Sequence, residues 1–409
     1  MTDTIAIVGA GQAALQTAES LRRGGFAGHL VMVSDEPHPA YQRPPLSKKY
    51  LAGELPLERM WLKPAAFYES HQVDLRLNVR ATAIHRDRQQ LELSQGEPIQ
   101  YSQLLLATGA SPRQSTAPGV SLQGIHALRS ISDADLIRAR LKPGSRVVIV
   151  GGGYMGLEVA ATCRGLGCQV DVLEMGARVM NRVVAPVISD FFTAEHRRAG
   201  VSIHLGTTVT GFLAAASDPT RVATVLASDG KEYPADEVII AMGVQPNIDL
   251  ATRAGLDCEN GIAVDETCRT NDPLIFSAGD CCSQVNHRYA KRIRLESVDN
   301  AFEQAKTVAS NMLGTRTVHD KLPWFWSDQY DLKILIVGLN IDYDQVVLRG
   351  TPDSRSFSCA YLRDARLIAM DCINNAKDYM AAKKLIADKP LCDLSRLADP
   401  TIPLKDTVA

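Results

Sequence analysis

The residue spacing most suggestive of chemistry is a glycine-rich turn that the chain contains twice. One copy occupies residues 9–14 and the other residues 151–156, each with the pattern Gly-x-Gly-x-x-Gly or its alanine variant. Such a turn lets the backbone approach a pyrophosphate, whose negative charge then lies at the N-terminus of the following helix. A single copy is weak evidence, whereas two copies predict two dinucleotide-binding sites. The glycines expected at these sites are Gly9, Gly11, Gly151, Gly153 and Gly156.

A carboxylate follows each turn at the distance expected for ribose recognition. In the second copy it is Glu174, and in the first it is Asp35, with Glu36 as the alternative. A carboxylate in this position accepts hydrogen bonds from a ribose 2′-hydroxyl and repels a 2′-phosphate. Glu174 therefore favours NADH over NADPH, although Arg178 and Arg182 just beyond it could weaken that preference.

Two dinucleotide sites in one chain are most simply explained by hydride transfer. A nicotinamide nucleotide held by one turn would reduce a second, tightly bound redox cofactor held by the other. FAD is the obvious candidate because its ADP half also suits a βαβ unit. The sequence therefore predicts NADH and FAD as the cofactors of an oxidoreductase.

Each turn needs a strand before it and a helix after it, and the flanking residues predict both. Residues 5–8 and 147–150 are β-branched runs typical of strands buried on both faces. Helices are expected over residues 14–23 and 157–165, and each is followed by another apolar strand. The chain therefore contains the βαβ unit twice.

Later strands and a change of pattern divide the chain into domains. Apolar strands near residues 104–106, 238–240 and 274–277 complete the two nucleotide units. From residue 323 the pattern changes and predicts antiparallel strands at residues 324–326, 334–337, 346–348 and 356–362, followed by a helix over residues 378–387. The fold class is therefore α/β, with two Rossmann-like domains, the second inserted in the first, and a C-terminal α+β domain. The expected boundaries are 1–112 with 248–322 for the FAD-binding domain, 113–247 for the NAD-binding domain and 323–409 for the C-terminal domain.

Composition excludes several classes of protein. Among 409 residues, 44 Lys and Arg against 46 Asp and Glu give a net charge of -2, which argues against a general nucleic-acid binder. No apolar run reaches the roughly 18 residues of a membrane span, and the first residues lack a signal-peptide pattern. Nine cysteines, an odd number in a long chain, predict reduced thiols and a cytoplasmic location.

The positions of the cysteines also bear on the acceptor. A disulfide reductase needs a Cys-x4-Cys pair soon after the first nucleotide turn, yet residues 36–52 contain no cysteine. Cys163 and Cys168 have this spacing but lie at the helix of the second βαβ unit. No cluster of metal ligands is evident, so no metal site is expected. Electrons should therefore pass directly from the flavin to an outside acceptor.

Several stretches resemble the FAD-dependent ferredoxin reductases of bacterial oxygenase systems, the putidaredoxin reductase group. The resemblance covers essentially the whole chain, and its most specific parts are Pro-Pro-Leu-Ser-Lys and Trp-Phe-Trp-Ser-Asp-Gln. It implies a glutathione-reductase-like architecture. The matching stretches are residues 9–14, 43–48, 107–109, 151–158, 279–280, 296–298 and 323–329.

The resemblance also implies roles for individual residues. Lys48 and Glu158 would meet near the flavin and the nicotinamide, and Trp326 would lie against the flavin edge, between the cofactor and the partner protein. The plainer alternatives are a solvated loop cation for Lys48, a helix-dipole acid in the first turn for Glu158, and domain core for Trp326. The FAD contacts implied are Gly9, Ala13, Asp35, Lys48, Ala81, Arg129, Asp280 and Val298.

The function implied is an NADH-dependent ferredoxin reductase that passes electrons through FAD to a 2Fe-2S ferredoxin. That ferredoxin would supply a haem monooxygenase or a ring-hydroxylating dioxygenase. The alternatives are reduction of rubredoxin, monodehydroascorbate or a quinone, or a redox-sensing interaction protein resembling apoptosis-inducing factor. An acidic ferredoxin would be attracted to local basic clusters. The candidate clusters are Arg288, Lys291, Arg292 and Arg294, and Lys377, Lys383 and Lys384.

Overall fold

The computed structural model describes residues 3–409. These residues form two compact units, each assembled from separate stretches of the chain. The first unit contains the described residues up to Gln42, then Leu57–Ser111 and Gln245–Lys321. The second unit contains Arg43–Pro56, Pro112–Val244 and Leu322–Ala409.

Short strands and helices alternate along most of the described chain. In chain order the strands are β1 (Thr4–Val8), β2 (His29–Val33), β3 (Val73–Arg76), β4 (Ala81–His85), β5 (Gln90–Leu93), β6 (Ile99–Gln100), β7 (Gln103–Leu106), β8 (Ala110–Pro112), β9 (Ile125–Ala127), β10 (Arg146–Val150), β11 (Gln169–Glu174), β12 (Val201–Leu205), β13 (Val209–Ala215), β14 (Asp218–Ala227), β15 (Glu232–Pro234), β16 (Glu237–Ile240), β17 (Val244–Pro246), β18 (Ile262–Val264), β19 (Ile275–Ser277), β20 (Cys282–Asn286), β21 (Lys291–Ile293), β22 (Trp324–Gln329), β23 (Leu332–Gly338), β24 (Gln345–Arg349), β25 (Phe357–Arg363) and β26 (Arg366–Ile373). The α-helices are α1 (Gln12–Arg23), α2 (Ala65–Ser70), α3 (Ile131–Arg138), α4 (Tyr154–Gly165), α5 (Pro186–Arg198), α6 (Asp249–Arg253), α7 (Val298–Met312), α8 (Ala376–Asp388) and α9 (Leu394–Ala398). None of the described helices is long and apolar enough to cross a bilayer.

The first unit is built on a parallel sheet with the strand order β19-β7-β1-β2-β3. Ile5 and Met32 of this sheet share a buried cluster with Leu15 of α1 and Val308 of α7, so helices cover this face. Ala6 points to the opposite face and belongs to a second buried cluster. Burial on both faces explains why β1 is almost entirely apolar.

The second unit contains a corresponding parallel sheet with the order β12-β11-β10-β16-β9. In β10, the residues from Val147 to Val150 are buried, and α4 follows this strand after the second glycine-rich turn. The β1-turn-α1 arrangement of the first unit is thus repeated, as the two sequence copies predict.

A five-stranded antiparallel sheet, with the order β22-β23-β26-β25-β24, is formed by the C-terminal residues of the second unit. Helix α8 covers one face, where Leu385 and Tyr379 pack with Val337 and Met370. The sequence pattern does not predict β26, which is the central strand of this sheet. The first predicted strand of this region ends at Trp326, whereas β22 continues through the polar residues to Gln329.

Candidate functional site

The two glycine-rich turns have the same backbone geometry. Gly9 and Gly151 have φ angles of +113° and +114°, a region that disfavours any residue with a side chain. A Cβ atom on Gly9 would lie 2.2 Å from the carbonyl oxygen of Ala107, and one on Gly151 would lie 2.4 Å from that of Ala241. Two constraints therefore require glycine at the first position of each turn. One is the positive φ angle, and the other is close packing against the residues that follow β7 in the first turn and β16 in the second.

The third position of the pattern differs between the two turns. A Cβ atom on Gly156 would lie 2.1 Å from the carbonyl oxygen of Gly151, so the second turn tolerates no side chain there. In the first turn Ala14 occupies the equivalent position and is fully buried. The alanine variant of the pattern is thus accommodated in the first unit alone.

The middle glycine of each turn leaves space where a dinucleotide would approach. Gly11 and Gly153 are the N-cap residues of α1 and α4, and neither helix start receives a side-chain cap. Apart from the glycine itself and its neighbours in the chain, no described heavy atom lies within 4 Å of a Cβ atom placed on either residue. Open backbone at a helix N-terminus fits the pyrophosphate of FAD in the first turn and of NADH in the second.

The acid expected to bind the NADH ribose is held by backbone groups. Glu174 ends β11, where its Oε2 accepts from the Gly152 N–H and its Oε1 from the Gly176 N–H, both at 2.6 Å. These bonds fix the carboxylate beside the second turn. A carboxylate has about four lone-pair sites, so Glu174 retains capacity for ribose hydroxyls.

Of the two arginines beyond Glu174, one has a clear local role. The guanidinium of Arg178 donates to the carbonyl oxygens of Val184 and Asn181 and to the Ser189 hydroxyl, at 2.7, 2.9 and 2.7 Å. These bonds engage Arg178 with its own loop and with the first turn of α5. Its side chain is therefore poorly placed to attract a 2′-phosphate.

The corresponding acids of the first unit are more exposed. Asp35 lies two residues beyond the end of β2 and forms an ion pair with Arg80 at 2.6 Å. Glu36 accepts a hydrogen bond of 2.5 Å from the Tyr41 hydroxyl, which leaves Asp35 as the more accessible of the two acids. Arg80 precedes Ala81, the half-buried first residue of β4 and another expected FAD contact, so the ion pair links Asp35 to the segment that begins this strand.

Three more of the expected FAD contacts belong to the first unit. Ala13 is buried in α1, and its Cβ lies 3.3 Å from a Cβ atom placed on Gly279. Asp280 therefore follows a glycine that packs directly on the helix of the first turn. Val298 is the first residue of α7, after the N-cap Ser297.

Lys48 and Glu158 form a close ion pair within the second unit. The Lys48 ammonium lies 2.6 Å from Oε2 of Glu158, and the two side chains are only 18% and 8% exposed. Lys48 follows the 3₁₀ helix Pro44–Ser47, and its ammonium also donates to the Pro44 carbonyl oxygen at 3.2 Å. This geometry does not fit a solvated loop cation.

The position of Glu158 corrects one expectation. The sequence predicts an acid in the first turn of its helix, but α4 begins at Tyr154 and its first turn holds no acidic residue. Glu158 lies in the second turn. The helix dipole acts mainly on residues of the first turn, so it does not explain this acid. The hydrogen-bond donors around the Glu158 carboxylate explain its presence instead.

Two serine hydroxyls, neither of which is predicted from the sequence, complete the surroundings of Glu158. The Ser47 hydroxyl donates to Oε2 and the Ser327 hydroxyl to Oε1, each at 2.6 Å. Three donors therefore surround a buried carboxylate, which offsets the loss of water. Both serines lie in the specific stretches next to Lys48 and Trp326, and this proximity was the available signal.

Trp326 lies on the face of β22 opposite to that of Ser327. Side chains alternate along β22, so Trp326 shares a face with Trp324, while Ser327 points the opposite way toward Glu158. The two indole centroids are 5.5 Å apart, and Trp324 in turn packs against Tyr379 of α8. Trp326 is half-buried and is absent from the buried cluster beneath α8.

Arg129 belongs to the segment that leads into α3. Its carbonyl oxygen accepts from the Arg43 guanidinium at 2.7 Å, and its N–H donates to Asp133 at 3.0 Å. The backbone of Arg129 is therefore tied to the loop that carries Lys48. Among the described residues, no group of His, Cys, Asp and Glu side chains is arranged to hold a metal ion.

Comparisons with known proteins agree with this geometry. Residues 3–305 match the family described as pyridine nucleotide-disulphide oxidoreductase, and residues 324–408 match the family described as reductase C-terminal. The chain is 40% identical to putidaredoxin reductase from Pseudomonas putida, over 100% of this chain and 97% of that protein. It is 38% identical to the ferredoxin–NAD(+) reductase component of the anthranilate 1,2-dioxygenase system from Burkholderia cepacia, over 98% of each.

A solved structure shows the same similarity in three dimensions. The covalent putidaredoxin reductase–putidaredoxin complex matches with a TM-score of 0.96 at 39% identity, covering 99% of this chain and 98% of that chain. The predicted glutathione-reductase-like fold class is thereby confirmed. The chain belongs to the pyridine nucleotide-disulphide oxidoreductase family and, within it, to the ferredoxin reductases.

Proposed function

We propose that this protein is an NADH-dependent, FAD-containing reductase of a 2Fe-2S ferredoxin. The ferredoxin would supply a haem monooxygenase or a ring-hydroxylating dioxygenase, as the names of the relatives suggest. The observation that carries the proposal is the pair of open dinucleotide turns in a chain whose residues 36–52 contain Lys48 and no redox cysteine. That combination favours an electron acceptor outside the chain over an internal disulfide.

The two turns divide the cofactors between them. When bound, FAD takes up hydride from NADH and releases the electrons one at a time. The FAD-binding domain would comprise residues 1–112 and 248–322, with Gly9, Gly11 and Asp35 at the ADP half. The NAD-binding domain would comprise residues 113–247, and residues 323–409 would form the C-terminal domain. In the NAD-binding domain the nucleotide contacts are Gly151, Gly153, Gly156 and Glu174.

Lys48 and Glu158 are proposed to act at the reacting ends of the cofactors. The Lys48 ammonium offers a cation to negative charge that develops on the flavin. Glu158 keeps that ammonium in place and can also accept a hydrogen bond from the nicotinamide carboxamide. Because both side chains are largely shielded from water, their attraction is stronger than that of a surface pair.

The preference for NADH follows from Glu174 and Arg178. The carboxylate of Glu174 is fixed by two backbone N–H groups, so its negative charge cannot easily move away from a 2′-phosphate. The Arg178 guanidinium is held by the Val184 carbonyl oxygen and the Ser189 hydroxyl, so it is poorly placed to bind a 2′-phosphate. Both observations support NADH as the working nucleotide.

A basic and aromatic surface on the C-terminal domain is the proposed docking area for the ferredoxin. The Lys383 ammonium lies 5.0 Å from the ring centroid of Trp324 and 4.5 Å from that of Tyr379. Lys384 beside it is exposed, and Trp326 shares the strand face of Trp324. We call Trp324, Trp326, Lys383 and Lys384 the Lys383 patch, and the buried Tyr379 packs beneath it. Its positive charge would attract an acidic ferredoxin.

The other basic cluster is largely committed to local structure. The Arg292 guanidinium donates to the Ser283 carbonyl oxygen at 2.7 Å. The Arg294 side chain is 8% exposed and forms an ion pair with Glu296 at 2.6 Å. We therefore propose the Lys383 patch ahead of the Arg288–Arg294 cluster.

We also propose a cytoplasmic location. Nine unpaired thiols, eight of them buried, suit a reducing compartment. An NADH-linked reductase would find its nucleotide there.

Stopped-flow spectroscopy tests the proposed function. NADH should bleach the flavin absorbance of the purified protein far faster than NADPH. Addition of an oxidised 2Fe-2S ferredoxin should then restore the absorbance rapidly. A long-lived reduced complex that ferredoxin barely reoxidises would favour the redox-sensing alternative, and faster reoxidation by rubredoxin, monodehydroascorbate or a quinone would reassign the acceptor.

A further inference from the structure

A row of polar side chains leads away from Glu158 through the second unit. The Ser327 hydroxyl, 2.6 Å from Oε1 of Glu158, is also 3.3 Å from Nε2 of Gln329. Oε1 of Gln329 is 2.8 Å from Nε2 of His196, and Nδ1 of His196 is 3.1 Å from the Tyr330 hydroxyl. Ser327, Gln329 and His196 are at most 1% exposed, whereas Tyr330 is 38% exposed. The row therefore connects the ion pair to the surface.

The chemistry of the donors gives every bond in this row the same direction. A carboxylate only accepts, so the Ser327 hydroxyl must donate its proton to Glu158. The serine oxygen then accepts from the amide nitrogen of Gln329, and the amide oxygen of Gln329 faces His196. Since an amide oxygen only accepts, His196 must carry its proton on Nε2.

The remaining imidazole nitrogen completes the sequence. His196 is fully buried, and burial lowers the pKa of its imidazole, which favours the neutral ring. With the proton on Nε2, Nδ1 is an acceptor for the Tyr330 hydroxyl. Four successive hydrogen bonds thus point toward Glu158, and bonds aligned in this way polarise one another.

We propose that Ser327, Gln329 and His196 are positioning residues that hold the Glu158 carboxylate in place against Lys48. The inference rests on the proposed function of the Lys48–Glu158 pair and extends it to side chains that touch neither cofactor. Ser47, the neighbour of Lys48 in the chain, donates its hydroxyl to the other carboxylate oxygen, Oε2. Loss of the Ser327 hydroxyl would leave Oε1 without its donor and let the carboxylate rotate away from Lys48.

The kinetic test compares Ser327→Ala with a matched control. Ser358→Ala removes an equally buried hydroxyl of the same antiparallel sheet, which also donates to a buried carboxylate, that of Asp378 at 3.1 Å. In stopped flow, Ser327→Ala should lower the limiting rate of flavin bleaching about tenfold, the effect typical of one hydrogen bond to a charged group. The apparent Kd of NADH should change little. Ser358→Ala should bleach at the parent rate.

Two further variants distinguish a positioning role from a nonspecific loss of folded structure. Ser327→Thr keeps a hydroxyl and should recover most of the rate. Gln329→Leu removes the next link and should slow bleaching less than Ser327→Ala, because Ser327 can still donate to Glu158. A slow Ser327→Ala that Ser327→Thr does not rescue, together with a parent-like Gln329→Leu, would overturn the proposal.

Nitrogen-15 NMR of the histidine rings gives a readout that does not depend on turnover. The His196 signal, assigned from its loss in His196→Gln, should report the Nε2–H tautomer in the parent and in Ser358→Ala. In Ser327→Ala the amide of Gln329 can reverse, so a mixture of the two tautomers is expected. An Nδ1–H tautomer in the parent would overturn the proposal.

The result also separates this inference from the proposed function. If Lys48→Met bleaches at the parent rate, the proposed role of the ion pair is wrong. If Lys48→Met is slow while Ser327→Ala is normal, the role of the pair stands and the positioning inference alone is wrong.

Discussion

The ammonium of Lys48 lies 2.6 Å from Oε2 of Glu158, although the two residues are separated by 110 positions in the chain. Breaking a shielded pair by removing one partner leaves the other charge uncompensated, which is costly. The pair is also anchored on both sides, by Ser47 and by Ser327. This arrangement gives definite expectations for single and double variants.

Lys48→Met should slow flavin bleaching by NADH and make the flavin harder to reduce, because it removes the cation that stabilises negative charge. Glu158→Gln should slow the same step more mildly, since an amide can still hold the carboxamide. The double variant should be less impaired than the product of the two single losses, because coupled residues are not additive. Stopped-flow bleaching of all four proteins measures this. Fully multiplicative effects would mean that the two residues act independently.

Glu174→Ala should reduce the preference for NADH over NADPH about tenfold, roughly the contribution of one charge-assisted hydrogen bond. The measurement is the ratio of bleaching rates with the two nucleotides. Asp171→Ala is a matched control, because Asp171 is an acid of the same strand that pairs with His204 at 2.8 Å. Equal rates with both nucleotides in the unmodified protein would refute the assigned role of Glu174.

Lys383→Ala should slow reduction of an acidic ferredoxin and weaken its dependence on salt, because a steering charge is lost. Reduction of small artificial acceptors should be unchanged. Lys306→Ala provides the control, since Lys306 also lies over an aromatic ring, at 4.1 Å from Phe302, but on α7. If Lys383→Ala reduces ferredoxin normally at low ionic strength, the docking area should be sought at the Arg288–Arg294 cluster instead.

Asp371→Asn should stabilise the protein more at pH 8 than at pH 5. Asp371 is 1% exposed in β26, and burial raises the pKa of its carboxyl to about 7 despite a 2.5 Å hydrogen bond from Tyr361. A raised carboxyl pKa contributes stability that is present below about pH 4 and is lost as pH rises to about 7. The amide cannot ionise, yet its oxygen still accepts from Tyr361.

The gain at pH 8 is at most about 4 kcal/mol, from a shift of roughly three pKa units. Thermal melting followed by tryptophan fluorescence measures it, because two of the three tryptophans lie in β22 of the same sheet. Asp378→Asn should instead destabilise at both pH values, since Asp378 pairs with the buried Arg349 at 2.9 Å. An equal shift in Tm at pH 5 and pH 8 for Asp371→Asn would contradict the pKa argument.

Features that depend on residues near one another in the chain can be predicted from the sequence. Gly9 and Gly151 mark turns that require a positive φ, and the apolar runs before them mark strands buried on both faces. Glu174 could be predicted because the strand after the second glycine-rich turn ends at a typical number of residues from that turn. These features are local, so spacing and residue type suffice to recognise them.

Other features required the tertiary structure, because they depend on packing between distant segments. Glu158 was expected near a helix N-terminus, but the beginning of α4 at Tyr154 places it one turn further along. The alternation of β22 and its packing against α4 and α5 bring Ser327 to Glu158 and Gln329 to His196. Nothing in the spacing of these residues encodes that meeting. The register of β22 on the helices is set by side-chain packing across the whole domain, and only the folded chain decides it.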